Sequence, residues 1–365
     1  MSSIFILLLI IGMIAGFVMH RSDFCVASML RDIFMFNRFD TVFSLFFLLL
    51  MSAALYLLLF FTGLIEILHP WAGAVGGRQF IGGIIFGAGM VLAGGCVIGT
   101  LYKIGSGNVS SFFAFIGILC GSLAYAVMYP KISNFAGRLD ITSNFVSLYN
   151  LIHIPLFYFL IFYLVAFAML FFFLKSKNKL FLKSHVSGYL QPFYASVILS
   201  FCLTGVFLIT KMPLGITSTY TKFSAFFAHL ISKDYYESIT YFQNTVLNYH
   251  NSFTDANISG KLGYHFDGIY LIQLPVIIGI LVGSFFSAFK LKEFSVNFNI
   301  PLKQFFVAVA GGFLMGFSSR LAGGCNVWYL FGQLPLLDLG AYLFLGGLLP
   351  GVWIGSKFLE KLIVG

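Results

Sequence analysis

Long apolar stretches follow one another along the whole chain, and short connections rich in polar residues and glycine separate them. A helix needs about 20 mostly apolar residues to cross the hydrocarbon core of a membrane, where the backbone must satisfy its own hydrogen bonds. The pattern therefore predicts an all-α polytopic membrane protein with about nine transmembrane helices. These lie near residues 4–18, 41–68, 79–94, 109–129, 154–174, 192–210, 268–290, 302–321 and 338–358.

A five-residue run, Leu-Ala-Gly-Gly-Cys, occurs twice, at residues 92–96 and 321–325. The same shift of 229 positions superimposes glycines that have small-xxx-small spacing, including Gly83 on Gly312. An identical run that ends in cysteine is hard to attribute to chance in a chain with 5 cysteines. The repetition predicts a duplicated fold, and the glycine spacing predicts close helix packing in both copies.

The composition excludes a water-soluble globule, because 59% of the residues are hydrophobic, 9% are charged and the mean hydropathy is +0.97. The formal net charge of +9 does not indicate nucleic-acid binding, because Lys and Arg are scattered at the ends of apolar stretches. The densest basic cluster, at residues 175–183, follows the fifth stretch and marks the cytoplasmic side. Counting from there predicts an amino terminus outside and a carboxyl terminus inside.

This orientation makes the repeat inverted, because the stretch at 79–94 runs inward whereas its partner at 302–321 runs outward. Inverted-repeat transporters bind their substrates near the midplane of the membrane, on broken or half-length helices. The predicted organisation is a first half at 1–175, a cytoplasmic linker at 176–191 and a second half at 192–365 with an exterior insertion at about 231–267.

Short apolar segments follow each motif and are too brief to cross the membrane, so they predict re-entrant half-helices. They lie at about 97–104 and 326–334, and a weaker pair lies at about 24–36 and 215–230. In the weaker pair, the first segment carries a cysteine and the second does not.

The duplicated motif combines groups that suit an anion containing sulfur. Glycine pairs leave backbone N–H groups accessible where a half-helix begins, and the positive end of the helix dipole favours anions there. A neighbouring thiol adds a soft ligand for sulfur. The predicted substrate path therefore includes Gly94, Gly95 and Cys96 from the first copy and Gly323, Gly324 and Cys325 from the second.

Buried free cysteines most often have a packing role alone. This interpretation suits Cys120 and Cys202, which lie on otherwise apolar stretches. The repeated glycine context favours a functional role for Cys96 and Cys325, and an adjoining polar cluster favours one for Cys25. No Cys-x-x-Cys or histidine pairing accompanies these cysteines, so neither a metal nor a cofactor is predicted.

Other polar residues near the cysteines are candidates for the path. Arg21 and Arg320 would attract an anion, and anchoring at the membrane interface is the alternative role for both. Asn326 would donate amide hydrogens to an oxyanion. Capping of helix ends is nevertheless the favoured interpretation for Asn108 and Asn326. Lys103 is interpreted as an anchor that reaches toward the interface.

Residues 20–32, 92–99 and 319–326 resemble the YeeE/YedE family of bacterial inner-membrane proteins, whose characterised members take up thiosulfate. The resemblance implies nine spans plus short re-entrant helices in inverted halves, narrowed at the middle like an hourglass. It also implies a multi-pass location in the lipid bilayer of the inner membrane. The insertion at about 231–267 is a departure from the family pattern.

In that family, three motif cysteines line the path and pass the ion between thiols through S–H to sulfur hydrogen bonds. They match Cys25, Cys96 and Cys325 in this chain. The resemblance also implies a candidate cytoplasmic partner, a TusA-like sulfurtransferase, which would be a separate protein here.

The leading hypothesis is a membrane transporter for thiosulfate or a related sulfur-containing ion, rather than an enzyme. The sequence contains no phosphate-binding loop of the Gly-x-x-x-x-Gly-Lys-Ser/Thr type, which excludes an ATP-driven pump within this polypeptide. The alternative is a membrane thiol oxidoreductase or sulfurtransferase in which a cysteine carries a persulfide. Such an enzyme usually needs a base or a resolving cysteine beside the nucleophile, and neither is visible at motif distance.

Overall fold

The computed structural model describes residues 2–65, 74–142, 147–177, 188–251 and 256–364. Within these ranges, nine helical stretches are long and apolar enough to cross a membrane, which confirms the predicted all-α polytopic class. The long helices are α1 (Ser2–Ser22), α3 (Asp40–Phe61), α4 (Gly77–Leu92), α6 (Val109–Leu139), α8 (Leu156–Ser176), α9 (Pro192–Thr210), α12 (Gly268–Leu291), α13 (Leu302–Ala322) and α14 (Leu339–Val364).

Shorter elements lie between the long helices. They are α2 (Val26–Phe36), α5 (Val97–Gly105), α7 (Leu148–Ile152), α10 (Thr217–Ile231), α11 (Lys233–Ser238), a 3₁₀ helix (Thr240–Gln243) and a π-helical segment (Val327–Gln333). Two antiparallel strand pairs join β1 (Val75–Gly76) to β2 (Asp140–Thr142) and β3 (Thr245–Asn251) to β4 (Ala256–Lys261). At 1.5 Å per residue, α5 rises about 14 Å, which is less than half of the ~30 Å hydrocarbon core. The segments after the two motifs are therefore as short as predicted.

The ends of α3 and α6 differ most from the predicted spans. α3 ends at Phe61, although the apolar pattern continues to residue 68, and residues 66–73 lie outside those described. α6 extends to Leu139 beyond the predicted end at 129, and Pro130 lies inside it. The length of an apolar stretch reflects the thickness of the hydrocarbon core, whereas a helix extends for as long as its backbone hydrogen bonds continue. The two therefore need not end at the same residue.

Glycines bring the long helices into backbone contact. A Cβ atom on Gly83 of α4 would lie 2.4 Å from the carbonyl oxygen of Phe344 in α14. A Cβ atom on Gly312 of α13 would lie 2.0 Å from the carbonyl oxygen of Ala114 in α6. Because both distances are shorter than van der Waals contact, a larger residue would push the helices apart. The predicted close packing is confirmed, and the two copies of the motif make corresponding contacts.

α4 and α13 cross the bundle in opposite directions. Gly82, near the start of α4, faces Ala322 at the end of α13, whereas Gly89, farther along α4, faces Gly311. The Gly-Gly-Cys turns that follow these two helices therefore lie toward opposite ends of the bundle. Two inverted halves would produce this arrangement. The predicted linker at 176–191 falls mostly outside the described residues, so the division into halves stays a prediction.

The segment predicted as an insertion, 231–267, contains α11, the 3₁₀ helix and the β3–β4 hairpin. Lys222 of α10 is fully buried and connects α10 to the end of this segment. Its Nζ atom donates to the carbonyl oxygens of Lys261 and Gly263 at 2.8 and 2.5 Å, and it pairs with Asp267 at 2.8 Å. A buried ammonium group needs such partners, and these contacts fix the hairpin on α10.

Candidate functional site

Three cysteines lie at the starts of short helical segments. Cys25, Cys96 and Cys325 are each 0% exposed, and they precede α2, α5 and the π-helical segment, respectively. Each thiol is approached by the backbone N–H three residues further along, as Gly99 shows by donating to Sγ of Cys96 at 3.3 Å. Backbone N–H groups at helix starts carry partial positive charge. The surroundings of all three thiols therefore suit a negatively charged ligand.

Cys25 and Cys96 form a pair, although they lie far apart in sequence. Their thiols are hydrogen-bonding neighbours. A Cβ atom on Gly99 would lie 3.0 Å from Sγ of Cys25 and 3.3 Å from Sγ of Cys96, so the space beside both sulfurs exists because position 99 has no side chain. The fold thus brings together two of the three cysteines that the sequence singled out.

Asn326 lies between the two Gly-Gly-Cys turns. Its amide is next to the thiol of Cys96, it is 0% exposed, and neither its Nδ2 nor its Oδ1 atom has a hydrogen-bond partner within the described structure. The capping interpretation is therefore wrong for Asn326, because its side chain makes no bond to the helix that follows. The same interpretation is confirmed for Asn108, which accepts a hydrogen bond from the backbone N–H of Ser111 at 2.9 Å.

Two residues of α10 join this cluster without having been predicted. The Thr217 side chain is a hydrogen-bonding neighbour of the Cys325 thiol. The buried hydroxyl of Tyr220 is close enough to interact electrostatically with both Cys96 and Cys325. One feature of the sequence pointed to Thr217 and Tyr220, namely the weak similarity of residues 215–230 to the segment that carries Cys25. It was insufficient because α10 has no cysteine of its own.

A polar cavity of about 240 Å³ opens beside the second Gly-Gly-Cys turn. Residues of several elements line this cavity, the Cys325 vestibule, and they include Arg78, Gln79, Thr217, Arg320, Gly324 and Asp338. The guanidinium of Arg320 is 7% exposed and donates to Oγ1 of Thr217. Arg320 forms no ion pair within the part of the chain that the structure describes. An uncompensated buried cation in a polar cavity is suited to binding an anion.

The Cys325 vestibule contains two other charged groups. Arg78 pairs with Asp140 at 3.0 Å, so its charge is largely neutralised. Asp338 precedes α14 and accepts a hydrogen bond from the backbone N–H of Gly340 at 3.0 Å. Burial raises the pKa of Asp338 to about 6. Its carboxylate therefore carries a negative charge in the vestibule at neutral pH and loses that charge in mild acid.

The first Gly-Gly-Cys turn has a different set of neighbours, which form the Cys96 face: Asp23, Gly94, Tyr102 and Lys103. Gly94 and Asp23 are exposed, and the hydroxyl of Tyr102 donates to Oδ1 of Asp23 at 2.9 Å. The Nζ atom of Lys103 donates to the carbonyl oxygen of Gly94 at 2.7 Å. Lys103 thus binds the turn, and the interpretation of this residue as an anchor missed that contact.

The turns themselves require glycine at one equivalent position. Gly94 has φ of +71° and Gly323 has φ of +89°, a left-handed conformation that other residues adopt with strain. Both residues are exposed, whereas Gly95 and Gly324, which follow them, are buried. Each motif therefore leads from a solvent-facing turn to a buried thiol within a few residues.

The remaining predicted residues lie away from the thiols. The guanidinium of Arg21 donates to the carbonyl oxygen of Gly188 and lies over the ring of Phe17 at 5.3 Å, which fits the interface-anchor interpretation. Cys120 is exposed and Cys202 is partly buried. Among the described residues, no three His, Cys, Asp or Glu side chains cluster closely enough to hold a metal ion.

Comparison with known proteins adds independent information. The sequence profile of a family described as Sulphur transport matches residues 21–354. A protein of Spirochaeta thermophila named thiosulfate transporter TsuA is 27% identical over 342 residues, which cover 92% of this chain and 93% of that protein. The protein of the same name from Escherichia coli is 26% identical over 374 residues, which cover 95% and 92% of the two chains.

A shorter match involves a second kind of relative. A protein of Salmonella typhimurium named probable transporter YedE is 34% identical over 98 residues, which cover 26% of this chain and 24% of that protein. Together with the profile match, these relatives confirm the resemblance to YeeE/YedE proteins.

Proposed function

The chain belongs to the sulphur transport family, and from this premise we propose that it takes up thiosulfate or a related sulfur-containing anion. The observation that carries the proposal is the series of buried groups between two solvent-facing glycine turns. The amide of Asn326, the residue after Cys325, is next to the Cys96 thiol, Cys25 is next to Cys96, and all four residues are buried. Two full-length relatives named thiosulfate transporter support thiosulfate as the ion.

The proposed path begins in the Cys325 vestibule. Arg320 attracts the anion because its buried charge has no carboxylate partner among the described residues. Backbone N–H groups and thiols then replace the water that the ion loses on entering the narrow region. The terminal sulfur of thiosulfate accepts S–H hydrogen bonds first from Cys325 and then from Cys96 and Cys25. Because each such bond is weak, the ion is held without being trapped.

The topology gives this path a direction. With the amino terminus outside and the carboxyl terminus inside, the Cys325 vestibule faces the exterior of the inner membrane and the Cys96 face is cytoplasmic. The carboxylate of Asp23 at the Cys96 face lowers the affinity of that end of the path for an anion, so a released ion is not held there. A separate TusA-like sulfurtransferase is the proposed acceptor on that side.

Uptake of sulfur-labelled thiosulfate into proteoliposomes tests the proposal. We expect Cys96→Ala, Cys325→Ala and Cys25→Ala each to abolish uptake, since every one removes a thiol from the path. Cys120→Ala is the matched control, because Cys120 is exposed, and it should retain uptake. A folded wild-type protein that accumulates no thiosulfate would refute the substrate, and uptake that survives without these thiols would refute the path.

The contact between Cys25 and Cys96 favours a second candidate, a membrane thiol oxidoreductase or sulfurtransferase. It supplies the second cysteine that such chemistry uses to resolve a persulfide. Intact-mass measurement after incubation with thiosulfate separates the two candidates. The transporter keeps unmodified thiols during turnover. In the enzyme, the thiolate of Cys25 or Cys96 attacks the terminal sulfur of thiosulfate, the S–S bond of thiosulfate breaks, sulfite leaves, and the cysteine gains one sulfur atom as a persulfide.

A further inference from the structure

Tyr220 is a buried polar residue whose hydroxyl has no hydrogen-bond partner among the residues that the structure describes. Its side chain is 0% exposed, and its ring packs edge-on against Phe115 of α6, with 5.0 Å between ring centroids. The hydroxyl oxygen makes no hydrogen bond within the described structure, yet it interacts electrostatically with Cys96 and Cys325. A phenol in this position is unfavourable unless something else occupies its hydrogen-bonding capacity.

The other buried hydroxyls of α10 show that this helix is not poorly packed. Thr219 donates to Oε1 of Gln273 at 3.1 Å, and Thr221 donates to the carbonyl oxygen of Thr217 at 3.2 Å. Ser224 likewise donates to the carbonyl oxygen of a residue in α6 at 2.8 Å. The unsatisfied hydroxyl therefore occurs at the position on α10 that faces two thiols of the path.

Asn326 shares the same property at the same place. Neither polar atom of its amide has a hydrogen-bond partner in the described part of the chain, and the amide lies beside the thiol of Cys96. Tyr220 and Asn326 come from different elements, α10 and the turn before the π-helical segment, and each is near a thiol. Two hydrogen-bond donors from separate elements thus lie near the buried thiols of the two Gly-Gly-Cys motifs.

We propose that Tyr220 and Asn326 form the oxygen-binding half of a central anion site, in which the thiols form the sulfur-binding half. This inference rests on the proposed function. A substrate of this class has a terminal sulfur at one end and sulfonate-like oxygens at the other. The Tyr220 hydroxyl and the Asn326 Nδ2 donate to those oxygens while the thiols of Cys96 and Cys325 contact the sulfur. Two different ends are recognised by two different kinds of group, which makes Tyr220 a specificity-determining residue.

Thermal unfolding of the purified full-length protein, with and without thiosulfate, tests the role of Tyr220. Tyr220→Phe keeps the ring and its packing but removes the hydroxyl. We expect the ligand-free protein to unfold at the same or a higher temperature, because an unsatisfied buried group is gone. The rise in unfolding temperature caused by thiosulfate should shrink, and KM for uptake should increase about tenfold, as expected for losing a hydrogen bond to a charged ligand.

Tyr56→Phe is the matched control. Tyr56 is also 0% exposed, but its hydroxyl donates to the carbonyl oxygen of Phe331 at 3.4 Å. Its loss should lower the unfolding temperature and leave both the thiosulfate-induced rise and KM unchanged. Asn326→Leu, a second variant of similar volume, should behave as Tyr220→Phe does.

The failures of the two proposals are distinguishable. If wild-type protein responds to thiosulfate and Tyr220→Phe responds equally, the central site as assigned is wrong and the proposed function stands. If folded wild-type protein shows neither uptake nor a thermal response to thiosulfate, the proposed function is wrong and the assignment of Tyr220 to its substrate is wrong with it.

Discussion

The two Gly-Gly-Cys turns have the same five residues and different neighbours. Each has a left-handed, solvent-facing glycine followed by a buried thiol. Cys96, however, lies beside a second thiol, whereas Cys325 lies beside the Thr217 side chain and below a cavity that contains Arg320. A repeated motif has thus supplied the same backbone geometry twice, and elements outside the motif decide what each copy does.

The difference follows from charge and hydration. The Cys325 vestibule holds the buried guanidinium of Arg320, while the Cys96 face exposes Asp23 and contains the ammonium group of Lys103. On the proposed path, an anion is therefore attracted by a cation without a carboxylate partner at one end and meets charges of both signs at the other. The thiols and Asn326 are buried neutral groups, and on the proposed path they would hold the ion only weakly.

Neutralising Arg320 should have the largest effect on this asymmetry. Arg320→Gln removes the cation that has no carboxylate partner, and we expect uptake at low thiosulfate concentration to fall about 100-fold, as for loss of a buried charge-assisted contact. Arg78→Gln is the control. It should reduce uptake only a few-fold, because Asp140 already neutralises Arg78. Equal losses in labelled-thiosulfate uptake would show that the vestibule attracts the ion through its total charge rather than through Arg320.

Filling the space beside the thiols of Cys25 and Cys96 should slow release of the ion at the Cys96 face. In Gly99→Ala the new methyl group would lie 3.0 Å from Sγ of Cys25 and 3.3 Å from Sγ of Cys96. It would narrow the proposed exit beside both sulfurs, and we expect the maximal uptake rate of the folded protein to fall about tenfold. The unfolding temperature should fall as well, because extra volume in a packed site costs about 1–3 kcal/mol.

Gly137→Ala is the control for that experiment, because a Cβ atom there would meet nothing within 4 Å. It should leave the maximal rate unchanged. A Gly99→Ala protein with the wild-type rate would place the path away from the Cys25–Cys96 pair.

Acid should alter the charge of the Cys325 vestibule through Asp338. Since burial raises the pKa of Asp338 to about 6, its carboxyl group is neutral below that pH and ionised above it. We expect KM for uptake by whole cells to be about threefold lower at an external pH of about 5 than at about 7.5, because a negative charge leaves the anion cavity. Asp338→Asn, which keeps an acceptor for the Gly340 N–H, should have the low KM at both pH values. A pH dependence that persists in this variant would assign the titration to another group.

Sequence reasoning located the parts of this site that repetition makes visible. The duplicated Leu-Ala-Gly-Gly-Cys run identified both glycine turns and two thiols. The long apolar stretches predicted nine spans, and the described structure contains nine helical stretches that are long and apolar enough to cross a membrane. It did not predict Thr217 or Tyr220, because α10 contacts the thiols only through the packing of distant elements. The same limit applies to Asn326. Its neighbours in the sequence suggested a helix cap, whereas its amide lies beside the thiol of Cys96.

The smallest expected effect concerns the contact that holds the first turn. Lys103 donates to the carbonyl oxygen of Gly94 from a partly exposed position, and no equivalent contact binds the carbonyl of Gly323 within the described residues. Lys103→Met keeps the apolar stem and removes this bond, which should lower the free energy of unfolding by about 1 kcal/mol and the uptake rate about twofold. Thermal unfolding and uptake measured on the same preparation check both values. A much larger loss of uptake with unchanged stability would mean that the ammonium group of Lys103 contacts the departing anion. The Cys96 face would then bind the ion through a cation, as we propose for Arg320 in the Cys325 vestibule.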